Sequence, residues 1–258
     1  MPVIDMNAEG LGTLTRKEVK RFWSVLGQTV TAPVITALLY LVVFGQVMAG
    51  RVEVYPGVGY MQFLVPGLIM MSVIQNAFAN SSSSLTQSKI MGNLVFVLMA
   101  PLAAWELFAA WLGSSLLRAG LVGIVLYCAT WPVVRLPIDS LPVLAGMFLL
   151  AGGSLAVIGV IAGIVATKFD HLASFQNFLI LPASFLSGVF YSIHSLPPFW
   201  QQVSHFNPFF YMIDGFRHGF LGVGDVPVWL CFAWTGGFFV VLSAICLWML
   251  VSGYRLRP

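Results

Sequence analysis

The chain has 258 residues, of which 59% are hydrophobic and only 8% charged, with a mean hydropathy of +0.92. A soluble domain of this size carries about 25% charged residues, so too few charges are present to cover a soluble surface, and the class is an all-α integral membrane protein. The net charge of +3, from 12 Lys/Arg against 9 Asp/Glu, is not gathered into a patch dense enough for a nucleic-acid partner.

In chain order, residues 11–26 (LGTLTRKEVKRFWSVL) do not span a bilayer. Leu11, Leu14, Phe22, Val25 and Leu26 recur at helical spacing, with Arg16, Lys17, Lys20 and Arg21 between them and Trp23 suited to the headgroup level. The pattern predicts an amphipathic helix on the cytoplasmic membrane surface; the alternative is a frayed extension of the first span. No cleavable signal peptide is expected, because the first apolar run follows a polar segment and exceeds the usual signal core of about 7–15 residues.

A span needs about 20 predominantly apolar residues. Six segments qualify, roughly 26–48, 60–80, 105–131, 141–166, 173–192 and 227–251. An even count puts both termini on one side. With the termini inside, Arg16, Lys17, Lys20, Arg21, Lys89, Lys168, Arg255 and Arg257 are cytoplasmic, and only Arg51, Arg135 and Arg217 are external. That bias predicts cytoplasmic termini.

Between spans two and three lies SSSSLTQSKIMGNLVFVLMAPLAA, residues 81–104. The serines read as a helix end or loop, followed by a short helix over 86–100 that lies under the membrane and stops at Pro101; the alternative is a seventh, short span. Residues 49–59 and 132–140 read as plain loops. Pro33, Pro66 and Pro182 fall within or near spans, where neighbours or waters can satisfy the freed carbonyls. Gly159-x-x-x-Gly163 and Gly236-Gly237 offer close helix approach. Arg118 sits in the middle of the third span. A charge there is costly and faces a bundle interior or wet cavity, so it either meets a second subunit or lines a transport path.

Residues 193–226 should be external, yet they are rich in Phe, Trp and Tyr and carry Pro197-Pro198 and Asn207-Pro208. Two short helices are expected, about 197–206 and 208–221, dipping into the outer leaflet as a re-entrant hairpin that walls a translocation path. Irregular backbone at membrane depth must be buried in protein or face a polar cavity. His194, His205 and His218 match no metal-ligand spacing, and Asp214 is expected to pair with Arg217 or His218. Cys128, Cys231 and Cys246 read as small core hydrophobes. Glu106, Asp139, Asp170 and Asp225 read as solvated charges at span ends. Neither Gly-x-Ser-x-Gly nor His-Glu-x-x-His occurs, which argues against a membrane enzyme. An ion-gradient-driven carrier usually places several ionisable groups at mid-membrane; here Arg118 alone qualifies.

Two runs carry a family resemblance: KIMGNLVFVLMAPLAAWEL, and LPASFLSGVFYSIHSLPPFWQQVSHFNPFFYMIDGFRHGFLG. Together with the layout, they resemble the ABC-2 type transporter permeases, which include drug, lipid, polysaccharide and Nod-factor exporters. The resemblance implies that Lys89, Gly92 and Asn93 lie in a coupling helix that docks on an ATP-binding subunit. It places Arg16, Lys17, Lys20 and Arg21 near that subunit, and it assigns Pro197, Asn207, Pro208 and Arg217 to the re-entrant helices. The coupling segment departs from the family pattern in offering Lys89 alone where many members are rich in Arg and Glu. The chain has no Gly-Lys pair and hence no phosphate-cradling P-loop. ATP and Mg are therefore expected on two copies of a separate ATPase chain, with no cofactor or metal on this one. A homodimer in the inner membrane, exporting an amphiphile by alternating access, completes the implied picture.

Overall fold

The computed structural model describes residues 8–24, 26–48 and 53–255; Val25, Arg51 and Arg257 of the sequence reading lie outside them. The chain is nearly all helical. In order come α1 (Ala8–Trp23), α2 (Leu26–Met48), a two-stranded antiparallel hairpin of β1 (Glu53–Tyr55) and β2 (Val58–Gly59), α3 (Tyr60–Ile90), α4 (Leu94–Met99), α5 (Ala104–Thr130) and α6 (Leu141–Val165). After these follow α7 (Phe169–Phe175), α8 (Leu181–Phe185), α9 (Pro198–Phe206), α10 (Pro208–Leu221) and α11 (Val228–Ser252).

Among the described residues, α3, α5, α6 and α11 are long and apolar enough to cross a membrane, and Thr29–Gly45 of α2 forms a shorter apolar helix. The 31-residue α3 is the central element, packed by α5, α6 and α10. It buries Leu64, Met70, Ile74 and Phe78 in the main core. In contrast, α11 leaves Trp229, Val240, Val241, Ile245 and Trp248 exposed, as expected of a helix whose outer face meets lipid rather than water.

Packing against α3 is close because α6 presents glycines to it. A Cβ on Gly159 would sit 2.6 Å from the Phe78 carbonyl oxygen, and one on Gly163 would sit 2.8 Å from Leu85 Cβ. The other small-residue pair behaves differently. Gly237 of α11 faces open space, and Gly236 meets only a Leu150 methyl at 4.0 Å. Among the described residues, no helix approaches closely there.

Four expectations need correction, the first being that residues 49–59 form a plain loop, since 53–59 pair as the β1–β2 hairpin. The serines of 81–84 are not a loop or helix end: α3 runs through them to Ile90, and Ser81, Ser82 and Ser84 are buried. A serine hydroxyl satisfies itself inside an apolar bundle by bonding the preceding turn or a neighbouring helix. Ser81 Oγ does both, reaching Ala77 O at 3.2 Å and Ala156 O of α6 at 2.7 Å. The helix expected over 86–100 is consequently split. Residues 86–90 close α3, Gly92 takes a left-handed φ of +72° that ends it, and only the six residues of α4 follow.

The segment 173–192 is likewise not one straight helix. After α7 it widens into a π-helical stretch at Gln176–Ile180, where the Leu181 N–H bonds back to Gln176 O, and α8 ends at Phe185. Pro182 lies just after this widening and lacks an N–H, and Gly188 at φ +75° turns the chain away. Residues 186–192 are irregular, and a 3-10 turn at Ile193–Ser195 leads to α9.

Candidate functional site

Three places gather the polar and exposed groups that the bundle does not use for simple packing. The first is built on α10. Pro208 at its first turn presets helical φ, and Asn207 caps it by accepting from Phe209 N at 3.0 Å. Asn207 Nδ2 also donates to Ala183 O at 2.7 Å, which ties α10 to α8. Pro197 precedes α9, which leaves Phe199, Trp200 and Phe206 exposed. The next helix, α10, is buried along most of its length.

Asp214 and Arg217 lie one turn apart on α10 with both side chains sealed off, joined Oδ1 to Nη1 at 3.3 Å. Asp214 also accepts from Asp225 N at 2.9 Å and Val226 N at 3.1 Å. Arg217 Nη2 donates to Gly188 O at 2.8 Å, and its guanidinium lies 3.7 Å over the Phe63 ring. The carboxylate thus fixes the loop before α11, and the guanidinium fixes the turn after α8.

Asp225 was expected to be a solvated charge. Instead it accepts from Tyr55 OH at 2.8 Å, Ser192 Oγ at 2.5 Å and Ile193 N at 2.9 Å. Burial lifts the Tyr55 hydroxyl above its ordinary pKa; Arg217 opposes this, and Asp214 and Asp225 add to it. Tyr55 is therefore a permanent donor, clamping the β-hairpin to the loop before α11. Two histidines contact backbone, His194 Nε2 at 3.2 Å from Asp225 O and His218 Nε2 at 2.7 Å from Val226 O. Glu106 also departs from a solvated charge, since it is buried and accepts from Ala103 N at the start of α5.

The second place joins α1, α3 and α5. Arg16, Lys17 and Lys20 are exposed on α1, but Arg21 turns inward. Its Nε meets buried Glu18 at 3.2 Å, and its Nη2 meets Asn80 O at 2.9 Å and Asn80 Oδ1 at 3.0 Å. Ser84 Oγ donates to the same Glu18 oxygen at 2.6 Å. Arg118 of α5 reaches Asn80 and Asn76, and Asn80 Nδ2 donates to Ser115 Oγ at 3.1 Å. Sequence reasoning found Arg118 and missed Glu18, Asn76 and Asn80. The available signal was an Asn pair at i,i+4 within a largely apolar span, facing a part-buried cation.

The third place is the corner between α3 and α4. Lys89 is not free there: its Nζ donates to Ile164 O and Ala166 O at the end of α6, where a cation suits the helix C-terminus. Gly92 and Asn93 are exposed in the turn. Phe96 and Met99 of α4 are 73% and 77% exposed, beside exposed Ile90, Met91 and Val95. Lys89 therefore braces the corner from behind, and the apolar side chains face outward.

Comparison with known proteins adds the following. The family model described as ABC-2 type transporter matches residues 9–221. The inner membrane transport permease YadH of Escherichia coli (strain K12) is 39% identical over 247 residues, covering 96% of each chain. Nodulation protein J of Sinorhizobium fredii (strain NBRC 101917 / NGR234) is 28% identical over 208 residues, covering 78% of this chain and 72% of that one. Nodulation protein J of Rhizobium meliloti (strain 1021) is 28% identical over 206 residues, with coverages of 75% and 74%.

Proposed function

This chain belongs to the ABC-2 type transporter family, and on that premise we propose that it is the membrane-spanning subunit of an ATP-driven exporter in the inner membrane. The observation that carries the proposal is the α3–α4 corner. Phe96 and Met99 project from a six-residue helix, and a left-handed glycine fixes the direction of that helix. An apolar group held outward on a rigid turn is suited to insertion into a partner's groove. The partner is an ATP-binding subunit in two copies, which supplies the ATP and Mg chemistry.

In this reading Gly92 and Asn93 form the turn of the docking element, and Lys89 transmits its movement to α6 through the carbonyls of Ile164 and Ala166. Arg16, Lys17 and Lys20 face the anionic headgroups or the ATPase, with both termini cytoplasmic. Pro197, Asn207, Pro208, Asp214 and Arg217 shape a rigid outer hairpin, past which the cargo leaves between two copies of the chain. The exposed apolar residues of α9 suit an outer leaflet. A lipid-like amphiphile is the cargo class.

The test is co-expression with a candidate ATP-binding subunit, followed by co-purification and ATP hydrolysis in lipid. A complex that forms with the native chain and is lost with Phe96→Asp supports the reading. A chain that purifies alone and moves solute on an ion gradient would sink it in favour of a secondary carrier.

A further inference from the structure

Arg118 lies near the middle of α5, and among the described residues its guanidinium meets only the neutral acceptors Asn80 and Asn76. Nη1 is 3.4 Å from Asn80 Oδ1, Nη2 is 3.4 Å from Asn76 Oδ1, and the buried Nε has no hydrogen-bond partner among the described residues. The nearby carboxylate does not serve it: Glu18 Oε2 is taken by Arg21 Nε and Ser84 Oγ. Arg21 also donates to the same Asn80 Oδ1. Two guanidiniums therefore converge on one carboxamide, and only Arg21 has a carboxylate partner, which leaves a net charge of +1 at the part-buried junction of α1, α3 and α5.

Next to Asn76 a cleft of about 190 Å³ opens between α2 and α3, lined in part by Thr36, Tyr40, Ser72, Gln75 and Asn76. Its volume is roughly six times that of a liquid water molecule. The buried Gln75 Nε2 also lacks an acceptor. Unused N–H donors and an uncompensated cation at this depth call for a ligand that brings both acceptors and negative charge. Beside the cleft, α2 exposes Ile35, Leu39, Val42 and Val43, an apolar face along which a hydrocarbon tail can lie.

We propose that Asn76 and Gln75, which line the α2–α3 cleft, together with Arg118, whose Nη2 lies 3.4 Å from Asn76 Oδ1, form a recognition subsite for the phosphate or carboxylate headgroup of an anionic amphiphile that enters through that cleft. This deepens the transport reading by giving the amphiphile an anionic headgroup and a place to bind, and it rests on that reading for its purpose.

The experiment uses the purified full chain in nanodiscs of phosphatidylcholine doped with phosphatidic acid, with bound lipid read by native mass spectrometry. One phosphatidic acid is expected to be retained per chain in preference to phosphatidylcholine. Arg118→Gln is expected to weaken that retention about tenfold or more, and Arg135→Gln, exposed in the loop before α6, to leave it in place. Equal retention by the native and Arg118→Gln chains overturns the proposal. So does a native chain that holds phosphatidic acid no better than phosphatidylcholine, a comparison that needs no variant. Added inorganic phosphate separates the sources: mole-for-mole displacement of the lipid would mean a free-anion site and overturn the amphiphile. No ATP-binding subunit is present, so failure of ATPase docking bears on the transport reading alone.

Discussion

Asp214 and Arg217 form an ion pair at 3.3 Å in which neither side chain reaches solvent. Each also restrains a separate stretch of irregular chain. The carboxylate accepts from Asp225 N and Val226 N, and the guanidinium donates to Gly188 O. The pair thus holds the loops on both sides of the α9–α10 hairpin in one arrangement. Removing one member of a buried pair leaves an uncompensated charge at a cost of about 3–5 kcal/mol. Arg217→Met is expected to lose about that much in denaturant unfolding of the detergent-solubilised chain. Asp214→Ala should lose at least as much, because it also orphans two backbone donors. A loss below about 1 kcal/mol in both would mean that the loops are held by something else.

The α3–α6 contact makes a contrasting prediction at two glycines. At Gly159 a methyl group would collide with the Ser81 hydroxyl and lie 2.6 Å from the Phe78 carbonyl oxygen. The backbone cannot yield there without separating the helices, so Gly159→Ala should cost about 1–3 kcal/mol. Gly237 has nothing within 4 Å, and Gly237→Ala should be neutral or stabilising by up to about 1 kcal/mol through helix propensity. Paired melting curves check both. Equal melting of the two variants would remove the glycine contact as a determinant of the α3–α6 packing.

These two glycine sites also show what can be read from a sequence. Both are small residues in apolar runs, and nothing local separates the one facing α3 from the one facing outward. The helical class and the long apolar elements were legible because hydropathy reports them directly. Arg118 was legible because a guanidinium in an apolar run is conspicuous. Its partners Asn76 and Asn80 were not; the helix that carries them runs on through Ser81–Ser84, whose loop-like composition hides the fact that their hydroxyls find acceptors on other helices, such as Ala156 O and Glu18. Asp225 was misread for the same reason. Its acceptor role arises only when Tyr55, Ser192 and Ile193 are brought to it from two distant segments.

Asn207 combines two functions that one substitution can separate. Its Oδ1 caps α10 through Phe209 N, and its Nδ2 holds the Ala183 carbonyl of α8. Asn207→Asp keeps the cap and loses the donor; Asn207→Ala loses both. The alanine change should cost about 1–2 kcal/mol from the cap, plus the unsatisfied Ala183 carbonyl, and the aspartate change less. Melting temperatures are therefore expected to fall in the order native, Asn207→Asp, Asn207→Ala. If aspartate is as damaging as alanine, the bond to α8 matters more than the cap.

The α3–α4 corner separates stability from docking. Gly92 has φ +72° and open space around it, so a side chain there meets conformational strain rather than a clash. A left-handed conformation costs an ordinary L-residue about 1–2 kcal/mol, and Asn tolerates it better than Val. Gly92→Asn should therefore keep the corner and its docking, whereas Gly92→Val should redirect α4 and weaken binding of the ATP-binding subunit. Phe96→Asp should leave the melting of the isolated chain almost unchanged, since the side chain is mostly exposed, and yet abolish the complex. The measurement is the ratio of ATP-binding subunit recovered with each tagged variant, read beside its melting temperature. Native-like recovery with both Gly92→Val and Phe96→Asp would place the partner's contact elsewhere on the molecule.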